Sequence, residues 1–99
     1  MPYTEKGSVE PLKEGKTVQV KGSGNSMTPR LKNGQVVTVH PVTKDTVLRK
    51  NDVVIVKVRG NTYMHKILAI KGDEVLIGNN HGRVNGWTSR DNVFGWADA

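Results

Sequence analysis

Apolar and polar positions along this chain alternate in short runs with the two-residue period of half-buried strands. Lys16–Lys21 sets Val18 and Val20 on one side and Thr17, Gln19 and Lys21 on the other. Gly22-Ser23-Gly24-Asn25 breaks that run, Ser26–Leu31 is a short compact segment, and Lys32-Asn33-Gly34 reads as a turn. Gln35–His40 is β-branched enough to form the next strand, which Pro41 ends. Val53–Val58 and Thr62–Ile70 predict an antiparallel hairpin around Arg59-Gly60-Asn61. With Gly60-Asn61 as a two-residue loop, Val58 faces Tyr63 and Val56 faces His65. Lys71-Gly72-Asp73 connects tightly to Glu74–Ile77, and Val93–Trp96 is a short terminal strand. Residues 78–92 are polar and glycine-rich and read as a loop. In residues 1–15, Pro2, Gly7, Pro11 and Gly15 interrupt any period, so this stretch reads as a polar tail before a domain at 16–99. No segment has the length and period of an amphipathic helix. The pattern predicts an all-β, antiparallel, barrel-like sheet of about five to seven short strands.

Composition narrows the picture. Ninety-nine residues suffice for one domain, and 35% apolar content implies a thin core. The absence of cysteine excludes disulfides and thiolate metal sites. No run approaches the ~18 apolar residues of a membrane span, and the polar N-terminus does not resemble a secretory signal. A soluble, cytoplasmic protein without a membrane anchor is the expectation. A net charge of +6 is compatible with a nucleic-acid partner, yet the basic residues are scattered and only Arg49-Lys50 are adjacent. Two Trp, two Tyr and one Phe offer little stacking surface for single strands. Trp87 and Trp96 are expected to pack in the small core, with an exposed Trp87 in contact with a partner as the alternative.

Packing alone does not explain the segment Gly24–Gln35. It sets Ser26 on a turn after a glycine-rich break, with Met27 as a core residue or pocket wall and Pro29 stiffening the turn. Such a turn can present a hydroxyl at the rim of a sheet with backbone N–H groups nearby. A serine nucleophile needs a base. His40 stands at a strand end and His81 in the long loop. His65 lies inside a strand on the side of Tyr63 and Ile67, where a polar ring needs a partner. An imidazole near pKa ~6.5 suits a general base at neutral pH, whereas a lysine has to fall from about 10.4. No second histidine stands at metal-ligand spacing from His81, and no cofactor motif is present.

Gly24-Asn25-Ser26-Met27-Thr28-Pro29-Arg30-Leu31, with Gly34 beyond it, resembles the nucleophile box of the signal peptidase/LexA-type serine peptidase superfamily. Asn51–Val56 is similar to the strand that follows in that family. Tyr63–Asp73 resembles its general-base strand, and Gly78-Asn79-Asn80 and Val93-Phe94-Gly95 its closing elements. The likeness spans residues 18–96 in order. It implies Ser26 as nucleophile, His65 as base in the manner of the archaeal and endoplasmic-reticulum branch, and the N–H groups of Ser26 and Met27 as oxyanion donors. It further implies a minimal, soluble endopeptidase cleaving a peptide supplied in trans, bound as an added β-strand, with small residues at the cleaved bond. Gln35 and Asn79 depart from the family's aspartates, which leaves Asp91 or Asp73 as the acid that could orient His65. The competing expectation is a catalytically silent domain on the same fold that binds protein or nucleic acid.

Overall fold

Seven strands form one antiparallel sheet in the computed structural model, which describes residues 1–99. They are β1 (Val18–Lys21), β2 (Val36–Pro41), β3 (Val53–Val58), β4 (Asn61–Lys71), β5 (Glu74–Gly78), β6 (Val84–Ser89) and β7 (Val93–Ala97). Across the sheet they run β1-β2-β7-β3-β4-β5-β6. The fold is all-β and antiparallel, as the alternation predicts. It does not close into a barrel, because β1 and β6 remain as edges.

β3 is the hub. Val53 and Ile55 contribute to one apolar cluster with Val20, Val39, Met27 and Leu31. Val54, Val56 and Val58 contribute to a second with Ile67, Val75 and Ile77. Both faces of β3 are covered except at Lys57, which is why its sequence is nearly continuous valine and isoleucine rather than alternating.

The β3–β4 hairpin differs from the expected register. Arg59 and Gly60 both take positive φ, 51° and 84°, so they form the two-residue loop. Asn61 is thereby released to pair with Val58, Tyr63 pairs with Val56, and His65 faces Val54. Arg59 takes the loop place expected for Gly60, and does so in a left-handed conformation. The stretch 78–92, expected as a loop, contains β6 and a 3-10 turn at Arg90–Asn92. β6 is an edge strand in which only Thr88 is buried, so it lacks the apolar alternation that marks a strand. Trp87 lies exposed on it, against the core position expected, whereas Trp96 packs on the second cluster.

The first fifteen residues, expected as a polar tail, are packed. They hold a five-residue helix, α1 (Val9–Lys13), whose Leu12 is 2% exposed in the first cluster. Five residues are too few to display a helical period. α1 lies over β7, where a Cβ on Gly95 would stand 2.6 Å from Val39 Cγ1 and 2.9 Å from Leu12 Cδ1. Upstream, Tyr3 forms a parallel bridge with Val20, donating to the Gln19 carbonyl and accepting from the Lys21 N–H.

Candidate active site

Between β1 and β2 the chain makes a loop that is pinned at its base. Gly22 N–H donates to the Gln35 carbonyl, and the Gly22 carbonyl accepts from Gly34 N–H. Inside the loop, Gly24 N–H donates to Asn33 Oδ1. Met27 and Leu31 drop into the first cluster and anchor the loop to the sheet. Ser26, one residue ahead of the Met27 anchor, is therefore held half-buried at the rim rather than waving in solvent.

His65 approaches it from the middle of β4. The Ser26 Oγ to His65 Nε2 distance is 3.0 Å, and the opposite ring nitrogen, Nδ1, lies 2.7 Å from Asn85 Oδ1. An amide oxygen only accepts, so Nδ1 carries the proton. Nε2 then presents a lone pair to the Ser26 hydroxyl, which donates to it. Burial pushes the His65 pKa below its ordinary 6.5. The bond to Asn85 pulls the other way, the Arg83 charge lowers it, and Glu5 raises it. Its face stacks on Tyr63, with ring centroids 4.7 Å apart. The ring is thus neutral at pH 7, in the tautomer a base requires.

The group that orients His65 is Asn85, not Asp73 or Asp91. Those two acids line a separate cleft with Thr43 and Arg90. Asn85 reaches the ring because it stands on β6, within the stretch whose sequence reads as a loop. His40 is remote in role: it pairs with Asp98 at 2.7 Å and packs against Trp96.

Three neighbouring residues, Asn80, Lys66 and His81, hold the serine turn, a contact that the sequence does not predict for any of them. Asn80 donates its backbone N–H to the Ser26 carbonyl at 2.9 Å and its Nδ2 to the Met27 carbonyl at 3.2 Å. Lys66, although it points to the opposite face of β4 from His65, steadies Asn80 by donating to its Oδ1 at 2.8 Å. His81 Nε2 stands 2.9 Å from both the Asn25 carbonyl and Thr28 Oγ1. Asn79 shapes the connection that carries them, its Oδ1 accepting from the N–H groups of His81 and Arg83. An amide oxygen serves there as well as a carboxylate. In a trans peptide the N–H points opposite to the C=O. Asn80, by gripping the Ser26 carbonyl, therefore turns the Met27 N–H away from itself, and no backbone hydrogen bond occupies the N–H of Ser26 or Met27.

A cleft of about 410 Å³ runs past the pair, its lining including Ser23, Gly24, Met27, Leu31, Tyr63 and Met64. Along it, Asn61–His65 of β4 pair with β3 only, since β5 begins its pairing at Lys66. No three His, Cys, Asp or Glu side chains converge as a metal site. No helix is long and apolar enough to cross a membrane.

A hydroxyl and a neutral imidazole thus stand in hydrogen-bond contact at the mouth of a cleft on a small antiparallel sheet. The chain belongs to the Peptidase S24-like family, whose model matches residues 4–85 and so includes Ser26, His65 and Asn85. No curated protein and no solved structure matches it.

Proposed function

We propose that this protein is a small serine endopeptidase working through a Ser26–His65 dyad. The observation that carries the reading is the 3.0 Å contact between Ser26 Oγ and the unprotonated Nε2 of His65. In the reaction Ser26 Oγ bonds to the substrate carbonyl carbon while its proton passes to Nε2. The oxyanion develops beside the N–H groups of Ser26 and Met27, and the Nε2 proton is then delivered to the leaving amine as the peptide C–N bond breaks. Water, giving a proton to the same nitrogen, adds to the acyl carbon; the bond from that carbon to Ser26 Oγ then breaks and the proton returns to Oγ, freeing the new carboxyl end. Asn85 keeps the ring turned toward Ser26 and accepts from Nδ1–H in both protonation states. The peptide is held extended against the unpaired edge of Asn61–His65, where main-chain groups supply affinity without a sequence requirement.

Intact-mass measurement after exposure to a small uncharged fluorophosphonate tests the reading. One adduct is expected on the wild type and none on Ser26→Ala. His65→Ala is expected to slow labelling by about 10²–10⁴-fold, the usual contribution of a positioned general base. A folded wild-type protein that takes up no label across neutral and mildly alkaline pH overturns the peptidase assignment and leaves a binding module on the same fold.

A further inference from the structure

The cleft carries three charges, and they are not equally free. Glu5 is engaged: its two carboxylate oxygens accept from Ser23 N–H and Ser23 Oγ, each at 3.1 Å. Arg83 and Lys32 line the same cleft, both exposed, and neither takes part in a salt bridge. Of their groups only backbone atoms are bonded, Lys32 N–H to Gln35 Oε1 and Arg83 N–H to Asn79 Oδ1. The Asn79 amide fixes the Arg83 backbone, so the guanidinium projects from a set point on the wall rather than from a loose loop. Arg83 is also close enough to act on the imidazole of His65.

From this arrangement we propose that Arg83 and Lys32 make the cleft selective for peptides carrying an acidic side chain near the cleaved bond. The inference rests on the peptidase reading for the cleaved bond but not for the binding preference. An extended peptide laid along Asn61–His65 passes two cations that form no salt bridge, and the one carboxylate of the cleft, Glu5, turns both oxygens to Ser23 and leaves the lining net positive. A substrate carboxylate gains from both, with a planar fork on Arg83 suited to bidentate contact. A basic side chain meets them as like charges.

The test uses Ser26→Ala protein, immobilised at low ionic strength and challenged with acetylated, amidated hexapeptide pools. The pools are random except for one fixed Glu, Gln or Lys, and retention is read by mass spectrometry. Retention of the Glu pool is expected to exceed that of the Lys pool about threefold to fivefold, the range of a solvent-exposed ion pair. Arg83→Glu should invert the preference and Arg83→Gln should erase most of it, with thermal melts confirming that both variants fold. Lys44→Glu removes the same charge outside this cleft and should leave the preference standing. Equal retention of the pools, indifference to Arg83→Glu, or an equal loss in Lys44→Glu overturns the inference. Fluorophosphonate labelling without a Glu preference sinks this inference alone. A Glu preference without labelling sinks the peptidase reading alone.

Discussion

At the scale of single residues, the chemistry turns on where one proton resides. His65 is neutral at pH 7 because burial disfavours its charged form, so the acid limb of kcat/KM is expected below pH 6.5. Asn85 is a positioning residue in this scheme, and its replacement has a readable sign. Asn85→Asp sets a carboxylate against Nδ1–H, stabilises the imidazolium and should move the acid limb to higher pH. Asn85→Ala should move it lower and reduce kcat by about tenfold or more through loss of ring orientation. A pH–rate profile, or the NMR titration of the His65 ring, measures both, and an unmoved limb in Asn85→Asp contradicts the role. Ser26 and His65 are singled out in the sequence mainly by the resemblance of their segments to an ordered set of family motifs, with strand alternation and residue type in agreement. The residues alone read as an ordinary turn serine and a strand histidine. Asn85, Asn80 and His81 were not legible, because amides and a loop histidine acquire meaning only from what a distant edge strand and its connection bring near. Asp73 and Asp91 are the expected partners because the resemblance implies a carboxylate at this position, whereas the amide oxygen of Asn85 accepts the hydrogen bond from Nδ1.

At the scale of elements, strands with one wet face could be read from their period, and β3 from its unbroken valines. β6 and α1 could not be. The first is an edge with a single buried side chain, and the second is barely more than one turn. Yet α1 matters to the core, since Leu12 fills the space left over Gly95 and Val39. Leu12→Ala is expected to destabilise the fold by about 2–5 kcal/mol, as for other buried leucines. Denaturant unfolding reads this directly. A change under about 0.5 kcal/mol would mean that α1 is only laid on the surface and that residues 1–15 behave as the tail their composition suggests.

At the scale of the molecule, two apolar clusters share β3, and Ser26 and His65 are positioned by different ones. The serine turn is rooted in the first cluster through Met27 and Leu31, while His65 sits beside Ile67 of the second on the same strand. The 3.0 Å contact therefore reports whether both halves are properly assembled. The open ends of the sheet carry a further consequence. Tyr3 occupies hydrogen-bonding positions on the outer side of β1 that would otherwise be offered to any passing strand. Shortening the chain to begin at Glu5 strips that cover while leaving Glu5 and Leu12 in place. Such a shortened chain is expected to self-associate with rising concentration in sedimentation or size-exclusion runs, and one that stays monomeric would show that β1 needs no guard. Seen this way, the first few residues act as a bumper, keeping a sheet built with two loose margins from zipping onto its own copies.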